Sequence, residues 1–365
     1  MRLPGPLIVG GGPAGAAAAI VLARAGVRPT VLERHAVPHD ALCGGFLSWS
    51  TASRLQHLGI DLATLGAHPV ERVRLLAGNR QTEARLPQRC WSLSRRVLDA
   101  RLLARAEEEG AEVWRGAKVA RLVAGGAELA GGAAIEAEAT ILATGKHDLR
   151  GAGRPAMSTD PAVGLRWRLA GTAALQAMVG GAVELHLFAG GYAGLALQED
   201  GSANLCMAVR RSVLASAGGD PVRLLERLAA RHPALADRIA VAGSDPGLAQ
   251  AVANVPYGWI AKHPAQGELR VGDQSAVIPS LAGEGMAIAL ASGTAAGLAI
   301  REGIDAARFQ KRLARRAQFP VRVAGAIARV GANPLGAAAI IEAVGLMPAL
   351  SGLAARMSRM GEPAA

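Results

Sequence analysis

The sequence predicts an α/β fold: a parallel sheet with crossover helices, interrupted by an inserted antiparallel β-sheet and closed by C-terminal helices. Three observations predict it. A short apolar strand, residues 7–9, runs into Gly10-Gly11-Gly12-Pro13-Ala14-Gly15, then an alanine-rich helix to about residue 25 and a second strand over 28–32. Residues 163–209 instead alternate apolar and polar positions between turn residues, the period-2 signature of antiparallel strands. From residue 305 onward the pattern is helical, first basic and amphipathic, then almost wholly apolar.

Composition narrows the functional classes. The 365 residues are 51% hydrophobic and 19% charged, which is a globular composition with room for one large or two interleaved domains. The net charge of +11 comes mostly from arginine spread along the chain, and aromatics are only 3%, so stacking on nucleic acid is not expected. A basic surface of this kind suits anionic cofactors or lipid headgroups. Cys43, Cys90 and Cys206 form no CxxC pair, so neither a disulfide framework nor a zinc site is expected. The histidines, among them His35, His39 and His147, have no metal-ligand spacing and are read as surface or turn residues, and no metal is expected. Residues 3–23 are uncharged for 21 residues, but three glycines and a proline at the centre argue against a signal peptide or span, and a cytoplasmic protein is expected.

The glycine loop carries the first chemical signal. Gly10, Gly12 and Gly15 have GxGxxG spacing, which serves a tight turn, close approach to a pyrophosphate and helix–strand packing. Pro13 and Ala14 open the helix, whose free amides and dipole favour an anion. Glu33, 21 residues after Gly12, ends the second strand where an acid can bind a ribose diol, with Arg34 beside it. This Rossmann-like unit predicts a dinucleotide without separating NAD from FAD. The discriminator is "ELRVGDQSAVIPSLAGEGMAIALASGTAAGLAI": a strand over 269–271, a turn at Gly272-Asp273, and a helix from Gly285 to about residue 300. Asp273 can accept from a ribityl chain, and the amides of Gly283, Gly285 and Met286 can stabilise negative charge on a flavin.

With these motifs the sequence resembles the FAD-dependent oxidoreductases of the para-hydroxybenzoate hydroxylase fold. "SLSRRVLDARLLARAEEEGAEV" is similar to that family's arginine and aspartate four residues apart on a long helix, here Arg95 and Asp99. The resemblance implies FAD as cofactor, a glutathione-reductase-type FAD-binding domain, and a nicotinamide donor, NAD(P)H, that docks transiently. Thr144 and Gly145, after the strand at 139–143, are expected at the cofactor; Lys146 and His147 are expected as solvated loop residues, with the FAD pyrophosphate edge as the alternative.

The segment "ALCGGFLSWS" resembles the Cys-Gly-Gly loop of the geranylgeranyl reductase family. The resemblance places Cys43 and Gly44 beside the flavin and Gly45 and Phe46 toward the substrate, with the Cys43 thiol able to contact substrate or donate a proton. "LFAGGYAGLALQEDGSANLCMAV" is similar to the Gly-Tyr strand and asparagine of the same branch, which implies a substrate role for Tyr192. Ala193 and Gly194 replace the bulky aromatic expected there, which enlarges the pocket. No Trp-x-Trp-x-Ile-Pro halogenase segment is present. Three functions are weighed: a reductase of carbon–carbon double bonds on a lipophilic isoprenoid- or polyketide-like molecule, a flavin-dependent monooxygenase, and a non-catalytic flavin-binding protein. The predicted division is an FAD-binding domain of 1–70, 93–155 and 260–304, a substrate domain of 71–92 and 156–259, and helices over 305–365. The last segment is expected to pack on the core, with peripheral membrane contact as the alternative.

Overall fold

The computed structural model describes residues 1–243, 247, 249–263 and 267–361. A five-stranded parallel sheet carries the glycine loop, in the order Glu268–Arg270, Thr140–Leu142, Leu7–Val9, Thr30–Glu33 and Glu112–Arg115. Leu7–Val9 lies at its centre and is buried throughout, as expected for a parallel strand covered on both faces. Its residues alternate between the layers. Ile8, Val31 and Ile141 pack with helices Pro13–Arg24, Arg95–Glu108 and Gly285–Arg301, whereas Leu7, Val9, Leu32 and Leu142 pack on the other side. That second layer is a three-stranded antiparallel sheet, Val119–Val123, Gly126–Leu129 and Ala134–Glu136.

The helix that follows the glycine loop is alanine-rich because another helix lies against its backbone. A Cβ on Gly293 of helix Gly285–Arg301 would stand 2.0 Å from the Ala14 carbonyl oxygen. No side chain larger than hydrogen fits that crossing.

The large sheet has eight strands, in the order Gln250–Val255, Ala162–Leu169, Ala203–Arg210, Gly191–Leu197, Ala182–Phe188, His68–Ala77, Arg80–Ser92 and Phe46–Leu47. Two features differ from the sequence expectation. Ala182–Phe188 pairs with His68–Ala77 in parallel, since the two segments are far apart in the chain and no tight turn dictates their direction. Phe46–Leu47, expected with the glycine-loop region, pairs instead with the end of Arg80–Ser92 at the sheet edge.

Strand alternation gives this sheet two different faces. Leu165, Trp167, Leu195, Leu205 and Met207 point into an apolar cluster with Leu175, Leu224 and Leu235 of the covering helices. On the other face the register sets Arg166 and Gly194 beside Cys206, and Gly164 and Tyr192 beside Ala208. That face is polar and short-chained, and it turns toward the glycine loops.

Helix Ala306–Gly331 begins at Asp305, whose side chain accepts from the Arg308 amide. Its Phe309, Leu313, Ala317, Val321 and Ala324 join the same core as the glycine-loop helix. Helix Pro334–Leu346 packs Ile341 and Val344 against Val73, Leu75 and Ala84 of the large sheet. The C-terminal helices thus pack on both sheet systems.

Candidate active site

The three glycines of the first loop are glycines for different reasons. Gly10 has φ of 107°, and a Cβ there would lie 2.5 Å from the Ala143 oxygen. A Cβ on Gly15 would lie 2.0 Å from the Gly10 oxygen. A Cβ on Gly12, however, would meet only the Arg95 Nη2, at 3.5 Å. Gly10 and Gly15 are dictated by the protein's own packing, whereas Gly12 borders open space. The helix starting at Pro13 has no capping side chain and no acid in its first turn, so its amide dipoles are left for an outside anion.

Glu33 is more tightly tied than its spacing suggests. Its Oε2 accepts from the Gly11 amide at 2.9 Å and its Oε1 from the His35 amide at 2.8 Å. The carboxylate therefore braces the loop, and each oxygen keeps lone-pair capacity for a hydroxyl. Arg34 donates to His35 Nε2 and contacts His147 Nε2, both at 2.8 Å, which draws the turn containing Thr144 and Gly145 to this edge. His35 and His39 stack with ring centroids 3.5 Å apart. Burial, with His35 beside it, lowers the His39 pKa.

Arg95 and Asp99, one turn apart on their helix, form a bidentate ion pair at 2.7 and 2.6 Å. Burial opposes the charge on Arg95, but Asp99 outweighs it and raises the guanidinium pKa. Burial likewise raises the Asp99 carboxyl, against the pull of Arg95. Arg95 also reaches the Cys43 sulfur.

The Gly272-Asp273 turn sits against the start of the glycine-loop helix: a Cβ on Gly272 would lie 3.2 Å from that of Ala14. Arg154 donates to the Asp273 carbonyl at 3.0 Å and to the Lys146 carbonyl at 2.9 Å. Among the described residues the Asp273 carboxylate accepts no hydrogen bond, and its nearest cation is Lys146 at 3.9 Å. Lys146 is not a solvated loop charge, as expected above; it donates to the Leu42 carbonyl at 3.0 Å because the turn folds over the cysteine loop. Gly283 precedes the helix that starts at Gly285 and lies over Phe46, whose ring a Cβ would approach to 2.8 Å. Met286 is buried, and nothing approaches the Cβ positions of Gly285 and Gly44 within 4 Å.

The cysteine loop joins these pieces to the large sheet. The Cys43 sulfur accepts from the Gly45 amide at 3.5 Å, and its carbonyl accepts from Asn204 Nδ2 at 2.8 Å. Asn204 in turn accepts from buried Arg166 at 2.6 Å, and Arg166 pairs with Asp40 at 2.8 Å. Burial pushes the Cys206 thiol up to about 12, and Cys43 adds to that shift. Sequence reasoning singled out Asn204 but missed its partners Arg166 and Asp40, and also Tyr257 and Ser280, which meet Tyr192 at this face. A cavity of about 450 Å³ beside Leu187, Phe188 and Pro334 contains none of the predicted site residues.

Residues 6–146 match the family model described as an FAD binding domain. The chain is 31% identical over 339 residues to digeranylgeranylglycerophospholipid reductase 2 of Methanopyrus kandleri, covering 84% of this chain and 80% of that protein. It is 28% identical over 343 residues to protein FixC of Escherichia coli K12, covering 84% and 78%. The fold superposes on flavin-dependent brominase Bmp2 with a TM-score of 0.81 at 15% identity, over 98% of this chain and 93% of that one. At that identity the likeness is one of fold. Together the cysteine loop, the phosphate loop and the full-length relative identify the chain as an FAD-dependent oxidoreductase of the para-hydroxybenzoate hydroxylase fold, a member of the geranylgeranyl reductase family.

Proposed function

We propose that this flavoenzyme reduces carbon–carbon double bonds of a lipophilic, isoprenoid- or polyketide-like molecule. The observation that carries the reading is the position of Cys43. Its sulfur faces Arg95 on the phosphate-loop side, while its carbonyl is held by Asn204 of the large sheet. The loop therefore stands at the joint between a cofactor side and a sheet face on which Gly194 and Ala208 present short side chains toward a bulky apolar molecule. The name of the M. kandleri relative points to substrates of the same kind.

The residues present fit FAD. Open space above Gly12 and the uncapped amides of Ala14 and Gly15 suit a pyrophosphate. Glu33 would hold the adenosine ribose, Asp273 the ribityl chain, and the amides of Gly285 and Met286 the flavin. Thr144, Gly145, Cys43 and Gly44 would border the cofactor. When bound and reduced by a nicotinamide donor, FAD supplies the hydride. The division is that of a glutathione-reductase-type FAD-binding domain (1–70, 93–155 and 260–304) carrying an inserted substrate domain (71–92 and 156–259). Measuring double-bond reduction under nitrogen against oxygen-dependent product formation tests the reading; oxygen insertion favours a monooxygenase.

Such substrates reside in membranes, and the C-terminal helices supply a surface to meet them. Leu335 and Leu346 are 84% and 85% exposed, and Phe319, Met347 and Leu353 are also exposed. Arg308, Arg312, Arg315, Arg322 and Arg329 lie on the exposed stripe of helix Ala306–Gly331, a basic partner for anionic headgroups. Among the described residues no single helix is long and apolar enough to cross a membrane. Binding to anionic vesicles that falls with salt and with Leu335→Glu supports this contact; a chain that ignores such vesicles at low salt contradicts it.

A further inference from the structure

The chain has two tyrosines, and their hydroxyls meet at one serine. Tyr192, on strand Gly191–Leu197, donates to Ser280 Oγ at 2.7 Å. Tyr257, in the turn after strand Gln250–Val255, has its hydroxyl 2.6 Å from the same oxygen. Ser280 opens the short turn that leads into helix Gly285–Arg301. Three separate segments thus bring three hydroxyls together at the edge of the proposed substrate space.

Proton counting shows what the cluster can do. Three hydroxyls carry three protons, and the two hydrogen bonds among them use two. Tyr192 commits its proton to Ser280, and when the Ser280 proton turns to Tyr257, one of the two directions this contact allows, the Tyr257 proton is left to point outward. Both rings are half-buried and Ser280 is exposed, so the cluster opens onto the space in front of the sheet. Its neighbours are those of the site: Cys206 and Cys43 act on Tyr192, and Cys206 and Asp273 on Tyr257. Burial raises both phenols, so they stay protonated at neutral pH.

We propose that Tyr257, aligned by Ser280 and Tyr192, is the proton donor of the reaction. The assignment rests on the reductase reading. A hydride from the reduced cofactor adds to one alkene carbon; the π pair moves to the other carbon and takes the Tyr257 proton. The reduced cofactor's bond to the departing hydride, the alkene π bond and the Tyr257 O–H bond break, and two C–H bonds form. The phenolate regains its proton through Ser280 and Tyr192 from solvent.

The test uses FAD-loaded protein reduced with dithionite under nitrogen and mixed with digeranylgeranylglycerophospholipid in detergent micelles. Wild type should reoxidise with lipid saturation, more slowly in heavy water. Tyr257→Phe should slow that step about 10²–10⁴-fold, the contribution of a positioned general acid, with FAD content and KM near wild type. Ser280→Ala should fall between the two. Active wild type with Tyr257→Phe within twofold of it overturns the donor assignment alone. Wild type that fails to saturate the lipid removes the reductase reading and the donor with it. Absorbance titration adds a readout free of turnover, because no other tyrosine contributes: neither phenol should ionise near the ordinary value of about 10. Two ordinary titrations would show an open, unlinked pair and overturn the proposal.

Discussion

Arg95 Nη2 and Gly12 face each other across 3.5 Å measured from the glycine's absent Cβ, with no other protein atom within 4 Å of that point. The space is held open by the Arg95–Asp99 pair, which locks the guanidinium sideways along its own helix. Gly12→Val fills the space without clashing with the loop itself. The chain should therefore fold with an unchanged circular dichroism spectrum and be purified with little or no FAD. Full FAD occupancy in that variant would move the pyrophosphate away from this loop.

Cys43→Ser separates contact from proton delivery. The sulfur accepts from the Gly45 amide and lies within electrostatic reach of Arg95, and serine preserves an acceptor at that position. FAD content should be normal, and turnover should drop on the order of tenfold, the scale of one altered contact. Loss as complete as that expected for Tyr257→Phe would make the thiol the acid instead.

Glu184 shows how the large sheet keeps a charge in its interior. It is fully buried beside Arg74 and accepts from Arg238 at 3.0 and 2.8 Å and from His186 at 3.2 Å. Burial alone would raise its carboxyl, but the hydrogen bonds of His186 and Arg238 outweigh burial and hold it at about 2. A folded value below the unfolded one stabilises the protein above the unfolded value, and that stability is lost as pH falls toward the folded value. Glu184→Gln should thus cost roughly 3 kcal/mol at neutral pH. The melting difference from wild type should shrink as pH falls from the ordinary carboxyl value of 4.5 to about 2. An equal difference at pH 7 and at low pH contradicts the account.

The local units were legible because short-range geometry dictates them. Glu33 follows from a strand–loop–helix–strand unit of set length, and Gly10, Gly12 and Gly15 from their spacing, although only a structure separates packing glycines from the one that borders open space. Cys43, Gly44 and Phe46 were placed by resemblance, and the loop does lie against Arg95, Asn204 and Gly283. Other relationships depend on register between distant segments. Tyr257 meets Tyr192 only because the turn after the edge strand and an inner strand of the same sheet converge on Ser280, and no periodicity in either segment signals it. Lys146 looked solvated for the same reason: its partner, the Leu42 carbonyl, belongs to a remote loop. The parallel pairing of Ala182–Phe188 with His68–Ala77 is likewise a matter of tertiary choice.

Double-bond reduction without oxygen tests the central claim most directly. The FAD-loaded protein, reduced with dithionite under nitrogen, is mixed with digeranylgeranylglycerophospholipid, and flavin absorbance and lipid mass are followed together. The account predicts that the yellow colour returns without oxygen while the lipid gains two hydrogens for each double bond saturated. A flavin that stays bleached until air is admitted, with an oxygen atom then appearing in the product, would contradict it.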